Sequence, residues 1–386
     1  MARRRIGTAI RSVEFIPVSV PRHGNFSLHR GTTPPDSPFT IVRITTEDGV
    51  TGYGEGNTTV RGWDAIGRNN LAELLVGADA LNRTAIHAAI DAIEMMRVER
   101  VGHWNVLRAA IDMAVHDVIG KTLGVPVHDL LGGKQRDEIV VIKNVGVGSV
   151  EDTARRAAEL IGEGYRALKI RVGADAATDV RRVEAVRKAA GPDIPIRVDA
   201  NQAWAPREAV RVITAMAEYG LEAVEQPCRF ADIDGGRFVV ERSPVPIISD
   251  EGFWTADDAY VCCSHRVADV LHIYLGKCGG LLPSTRIVAI AEAAGAALTV
   301  GERVPLGISL AAHCHFAASI RTLNYPSALA YDLNEHDLLV RPLVCKDGVI
   351  PVPSGPGLGI EVDEDKLRFY TRDHGNGTSG TARNGK

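Results

Sequence analysis

Three carboxylates in this chain each follow a short apolar run: Asp199 in I-R-V-D-A-N-Q, Glu225 in A-V-E-Q-P and Asp250 in I-I-S-D-E-G. They stand 26 and 25 residues apart. That interval fits one strand, one helix and two loops, and in a parallel barrel successive strands deliver their C-terminal ends to one rim. Three acids gathered there would repel one another unless a cation sat between them. An all-oxygen ligand set points to a hard ion such as Mg2+. One βα unit earlier, Leu168-Lys169-Ile170-Arg171 ends another apolar run. Lys169 and Arg171 are two apart and so share one face of a strand. Cations at such a place are costly unless a carboxylate or a substrate anion meets them. A metal on one side and two cations on the other would bind a carboxylate substrate and stabilise the enediolate formed when its α-proton leaves. The plainer alternative is that both cations neutralise the barrel acids, or that Arg171 bonds a loop. Three acids and two cations at equivalent strand ends favour chemistry.

The elements that must position these groups read as a βα repeat of about 25 residues. Strands are expected at 139–145, 167–172, 194–198, 221–224, 246–249, 270–275 and 297–300, with an eighth near 328–333. Helices fall between them; Ser149 with Asp152 marks one N-terminus and Pro206 opens another. Near-continuous apolar strands alternating with helices argue for a parallel sheet closed into a barrel. The alternative, an open doubly wound sheet, lacks a Gly-rich phosphate fingerprint after the first strand.

Ahead of this repeat, Val13–Val20, Phe39–Thr46 and Val50–Glu55 read as antiparallel strands with a tight turn at Glu47-Asp48-Gly49. The long loop after Pro21 offers Arg22, His23 and Asn25 as donors for a hydroxylated or anionic substrate, or is simply a solvent loop. Residues 63–123 have helical spacing; Asp112, His116 and Asp117 fall on the last helix and read as structural polar groups. Beyond Asp373 the tail, H-G-N-G-T-S-G-T-A-R-N-G-K, is expected to be disordered.

Bulk properties narrow the class. The chain has 386 residues, 45% of them hydrophobic and 24% charged, with a net charge of -4. No basic block exceeds Arg3-Arg4-Arg5, so a nucleic-acid partner is not expected. No apolar run approaches membrane-spanning length, and the start lacks the apolar core of a secretion signal, which points to the cytoplasm. The six cysteines have neither metal-site nor redox spacing and read as reduced, mostly buried thiols.

Taken together, the motifs resemble the enolase superfamily, in its muconate lactonizing enzyme and mandelate racemase branch. The resemblance covers nearly the whole chain. It runs through T-G-Y-G-E-G at 51–56, A-A-I-D-M-A-V-H-D at 109–117, L-L-G-G-K at 130–134, the D-A-N, V-E-Q-P and S-D-E strand ends, and G-P-G-L-G-I-E-V at 355–362. It implies an α/β fold, a modified (β/α)7β TIM barrel with an α+β capping domain built from both termini. The expected divisions are 1–135 for the capping domain, 136–335 for the barrel, 336–373 for the segment completing the cap and 374–386 for the tail. It also implies Mg2+ on Asp199, Glu225 and Asp250, abstraction of a proton α to a carboxylate, and a homo-oligomer acting on a small carboxylate.

The departures are equally informative. Relatives usually carry K-x-K on the second barrel strand, with the second lysine as base; here that position is Arg171, a poor base because its guanidinium stays protonated. Muconate-type and epimerase relatives place a lysine on the sixth strand where H-I-Y-L-G-K-C-G-G has Tyr274. Lys277, three residues on, is expected in the loop. The mandelate racemase pattern needs Asp on strand six and His at the end of strand seven, but strand seven ends in Gly301-Glu302-Arg303, and His313 and His315 read as structural. Lys169 or Tyr274 is left as the general base, with Arg171 stabilising charge. Neighbouring cations and a metal are expected to lower the Tyr274 pKa, unless the ring only packs. Asn201, beside Asp199, joins the loop donors as a substrate-binding candidate.

One good acid/base group among several cations suits loss of water from a hydroxy acid such as an acid sugar, and dehydration is the first expectation. Cycloisomerisation of a muconate-like diacid comes next and racemisation or epimerisation third. A barrel that binds metal and ligand without catalysis is the remaining class; three unpaired acids would be costly to keep there.

Overall fold

The computed structural model describes residues 7–23, 27–28, 31–32, 35–57, 63–93 and 103–371. Asn25 and the tail lie outside them. Eight parallel strands follow one another in a ring: Lys143–Asn144, Leu168–Arg171, Ile196–Asp199, Ala223–Glu225, Ile247–Ser249, Val270–Ile273, Ala297–Glu302 and Ala328–Leu329. A parallel bridge between Val141 and Ser327 links the first to the last, with Ile142 N donating to Ser327 O at 2.9 Å. The strands from the third to the sixth are buried at every position, as expected of a sheet covered by helices and filled by its own side chains.

The helices begin where the sequence signals them. Ser149 accepts a bond from Asp152 N, Pro206 occupies the first turn of Pro206–Ala217, and Thr255 with Asp258 forms a capping box. The eighth strand is shorter than expected and stops at Leu329. The expected first strand divides. Glu138–Val140 pairs antiparallel with Val349–Pro351 from the C-terminal segment, and only Lys143–Asn144 joins the barrel.

A separate three-stranded antiparallel sheet, Ile10–Pro21, Asp36–Thr46 and Thr51–Asn57, carries the helix His103–Leu123 across its face. Two glycines explain the closeness. A Cβ at Gly54 would lie 1.8 Å from Ala110 O, and one at Gly52 would lie 2.5 Å from Ala114 O. The T-G-Y-G-E-G and A-A-I-D-M-A motifs are thus the two sides of one flush contact.

Acids of this unit receive the starts of barrel helices, where backbone N–H groups have no intrahelical partner. Glu55 accepts from Leu306 N at 2.8 Å and from Ser309 N at 2.9 Å, at the head of Gly307–Ser319. Asp112 accepts from Leu281 N at 2.5 Å, at the head of Leu281–Ala294, and also bonds His87. Burial alone would raise the Asp112 carboxyl, but His116 and His87 hold it below the usual carboxylate range. Asp117 accepts from Leu358 N and Tyr53 N, and His116 is bonded to Arg83 and to the Asp112 carbonyl. Asp112, His116 and Asp117 are therefore structural. The C-terminal segment returns to the same sheet, where Glu364 takes the Tyr53 hydroxyl and Arg43. Among the described residues no helix is long and apolar enough to cross a membrane.

Candidate active site

Strand register decides which side chains share a layer. Arg171 pairs with Asp199, and Asp199 with Glu225. Lys169 pairs with Arg197, one inward-facing layer below. Asp250 follows the fifth strand directly, and its N–H donates to Gln226 Oε1 at 2.9 Å. The turns that end the third and fourth strands are strained in the same way. Asn201, Gln202 and Gln226 have φ of 43°, 68° and 38°, a left-handed region that non-glycine residues seldom occupy. Such strain concentrates at functional rims, where the surrounding structure over-determines the chain.

The geometry brings together Lys169, Arg171, Asp199, Glu225, Asp250, Asn201 and Tyr274. Lys169 Nζ lies 2.7 Å from Glu225 Oε1 and 2.9 Å from Asp199 Oδ2. Arg171 reaches Asp199 Oδ2 at 3.2 Å and bonds Asn201 Oδ1. Asn201 Nδ2 in turn points to Glu251 Oε1 at 3.4 Å, so Asn201 links the basic and acidic sides. The Arg171 side chain is 28% exposed and that of Lys169 only 7%, which makes Arg171 the cation open to an incoming anion.

Burial would lower the Lys169 pKa, but Asp199 and Glu225 outweigh it and the ammonium is held above its usual range. Burial and the neighbouring Glu225 push Asp199 up. Burial works against ionised Glu225 too, yet Lys169, His272 and Arg197 hold its carboxyl well down. Glu251 is pushed up to about 7 by burial and by Asp250 and Asp199. This is the electrostatic signature of an acidic cluster only partly neutralised by its own cations.

One expectation is corrected. Lys277 is not a loop residue. It sits on a single helical turn, Leu275–Cys278, that folds back under the sixth strand end. Its buried Nζ bonds Asp250 Oδ1 at 3.1 Å and His272 O at 2.9 Å, with the Phe253 ring 4.1 Å and the Tyr274 ring 5.0 Å away. Without a metal, the protein's own groups raise the Tyr274 phenol, although Lys169 and Arg171 were expected to lower it. It is buried, and desolvation followed by the charges of Asp250, Glu225 and Asp199 raises its pKa well above the usual value, with Arg303 and Arg171 pulling the other way. Lys169 and Arg171 are themselves paired with Asp199 and Glu225.

His272 escaped the sequence reading. It stands two residues before Tyr274 and therefore on the same inward face, a signal that strand periodicity did contain. Its ring meets Tyr274 edge-on at 4.5 Å. A Cβ at Gly301 would lie 2.2 Å from His272 Nε2 and 2.4 Å from a Tyr274 ring carbon, so only glycine leaves room for both rings. His313 and His315 are structural, as expected. His313 Nε2 accepts from Leu275 N at 3.1 Å, and His315 Nε2 donates to Leu358 O at 3.1 Å. Of the loop candidates, Arg22 bonds Ser37, and the backbone N–H of His23 bonds Leu333 O just past the eighth strand.

The donor set suits a cation. Glu225 Oε2 and Glu251 Oε2 are buried acceptors with no hydrogen-bond donor among the described residues. Glu225, Asp250 and His272 each offer a ligand atom within 4.8 Å of the others. Asp199 stands beside this group, tied to Lys169 and Arg171.

Known proteins resemble this chain along most of its length. Residues 10–132 match the mandelate racemase / muconate lactonizing enzyme N-terminal domain, and residues 152–366 the enolase C-terminal domain-like model. The N-succinyl-L-Arg/Lys racemase of Bacillus cereus is 30% identical over 377 residues, 94% of this chain and 98% of that one. Muconate cycloisomerase 1 of Rhodococcus opacus is 32% identical over 347 residues, 87% of this chain and 91% of that one. The dipeptide epimerase of Enterococcus faecalis V583, solved with Mg and the dipeptide L-Leu-L-Tyr, superposes with a TM-score of 0.82 at 30% identity, covering 92% of this chain and 99% of that one.

Proposed function

The chain belongs to the mandelate racemase / muconate lactonizing enzyme branch of the enolase superfamily, and from that premise we propose that it isomerises a small carboxylate by removing and returning the proton on its α-carbon. The observation that carries this reading is the opposition of Lys169 and Tyr274. They leave the second and the sixth strands of an eight-stranded ring, half a turn apart, and both side chains are buried. A carboxylate seated between them would present opposite faces of its enediolate to an amine and to a phenol. Inverting a stereocentre needs that disposition: one group takes the proton and the other delivers one from the far side.

The roles follow from chemistry. Lys169 is the base: Asp199 and Glu225 hold its ammonium, and a cation drawing on those two carboxylates would weaken that hold and favour the free amine. Tyr274 is the donor: its phenol is buried opposite Lys169, and burial disfavours phenolate. Arg171 is permanently charged and partly exposed, and it holds the substrate carboxylate. A divalent cation bound by Asp199, Glu225 and Asp250, Mg2+ on an all-oxygen set, would supply the positive charge that stabilises the enediolate. Lys277 pins Asp250, and Asn201 fixes the Arg171 fork.

Loss of water from an acid sugar, the first expectation from the residues alone, has weaker support. The named relatives are a racemase, an epimerase and a cycloisomerase. Lactone formation from a muconate-like diacid is the second reading, favoured by one observation: a neutral Tyr274 can donate a proton without ever acting as a base.

The deciding experiment incubates the enzyme with Mg2+ in D2O and a panel of N-acyl amino acids, dipeptides, cis,cis-muconate and acid sugars. Deuterium entering at the α-carbon with inversion of configuration is the expected result. No exchange with any carboxylate would overturn the proposal, and lactone formation from muconate alone would replace it with the second reading.

A further inference from the structure

His272 lies on the sixth barrel strand, is completely buried, and stands one step past the Ser249–Leu271 pair, level with Asp250. Both of its ring nitrogens lack a hydrogen-bond partner among the described residues. Nδ1 is 3.5 Å from Glu225 Oε1, at the far end of hydrogen-bond length, so the ring acts on Glu225 without a formed bond. A buried imidazole with two idle nitrogens is unusual, because buried polar atoms are nearly always satisfied. The space it needs is kept open by Gly301, where any side chain would collide with Nε2. One ring nitrogen and one oxygen each from Glu225 and Asp250 fall within 4.8 Å of one another, a triangle small enough to surround a single ion.

We propose that His272 is a ligand of the metal beside Glu225 and Asp250, and that its nitrogen makes the site prefer Mn2+, Co2+ and Ni2+ to Mg2+. The inference rests on the metal-dependent reading above and deepens it. An oxygen-only site suits Mg2+, which keeps its waters and accepts nitrogen reluctantly. Imidazole is a borderline donor that suits first-row transition ions, and affinity for such a mixed site rises from Mn2+ toward Ni2+. Edge-on packing against Tyr274 fixes the ring plane, so the ligand is oriented before the ion arrives. The acidic trio read from the sequence omits this nitrogen, which only the curvature of the barrel brings alongside the carboxylates.

The test uses metal-stripped full-length protein titrated calorimetrically with Mg2+, Mn2+ and Co2+, and pulsed EPR of the Mn2+-loaded form. Wild type should bind Co2+ at least about tenfold more tightly than Mg2+, and Mn2+ should show coupling to a coordinated 14N nucleus. In His272→Asn the nitrogen coupling should vanish. Co2+ affinity should fall about tenfold or more, the scale on which changes at metal sites act, with Mg2+ affinity little changed. Mn2+ bound by wild type without nitrogen coupling would overturn the assignment and leave His272 as a packing group. That result comes from wild type alone and does not depend on the variant folding. Failure of wild type to bind any of the three ions would instead overturn the metal-dependent reading itself, and this inference with it.

Discussion

Lys277 Nζ lies 3.1 Å from Asp250 Oδ1, with both side chains withdrawn from solvent. The same ammonium bonds the Asp250 and His272 carbonyl oxygens and faces two aromatic rings, so its charge is fully matched. Asp250 is thereby held in one rotamer at the rim. Lys277→Met keeps the stem and removes the charge. It should destabilise the fold by about 3–5 kcal/mol, the usual cost of stripping one partner from a buried ion pair. Urea denaturation gives the first number, and a metal titration should report weaker binding in the same variant. Unchanged values in both assays would mean that Asp250 is positioned without Lys277.

Lys169 and Tyr274 should separate in a deuterium experiment. Lys169→Met should lose both α-proton exchange and inversion. Tyr274→Phe should lose inversion while one enantiomer still exchanges its α-proton, because the amine remains. Loss of at least about a hundredfold in each case is the scale of general acid–base catalysis. A Tyr274→Phe enzyme that inverts configuration at the wild-type rate would remove the phenol from the mechanism.

Metal removal should be visible without substrate. Wild type in excess divalent cation should melt at higher temperature than in EDTA, since a ligand at about 100 times its Kd contributes about 2.7 kcal/mol. Glu225→Gln keeps the side-chain shape and should abolish that difference. It should not lower the metal-free melting point by as much, because Lys169 retains Asp199. Equal melting points of wild type with and without metal would count against the cation site.

Acid should loosen the contact made by His315. Burial pushes its imidazole down to about 4, while the unfolded chain titrates near 6.5. The folded form therefore binds fewer protons than the unfolded form between those values. The stabilisation is complete above pH 6.5 and is lost as pH falls toward about 4, a span worth about 3 kcal/mol. His315→Gln should be less stable at neutral pH but lose less between pH 6.5 and 4. Parallel curves for the two proteins over that window would refute the assignment.

Glu55 offers a test of how the cap is fastened to the barrel. Glu55→Ala leaves Leu306 N and Ser309 N without acceptors, at about 1–3 kcal/mol each. A total loss of about 2–5 kcal/mol is expected, measured by chemical denaturation. Glu55→Gln, which retains one acceptor, should recover part of it.

Much of this protein was legible in the residue order. The strand-end spacing of Asp199, Glu225 and Asp250, the shared face of Lys169 and Arg171, the barrel and its cap all follow from local rules: period two along strands, capping residues, and apolar runs of strand length. The structural roles of Asp112, Asp117 and His315 were readable for the same reason. What the sequence could not decide depends on closure of the ring. Lys277 reads as a loop lysine until the turn after strand six folds it beneath Asp250. His272 reads as one polar residue in an apolar strand until curvature sets it beside Glu225. Lys169, Arg171 and a metal were expected to lower the Tyr274 pKa. Without the metal it rises, because Lys169 and Arg171 pair with carboxylates and burial governs the phenol. Electrostatics depends on distances between strands, and those exist only once the barrel has closed.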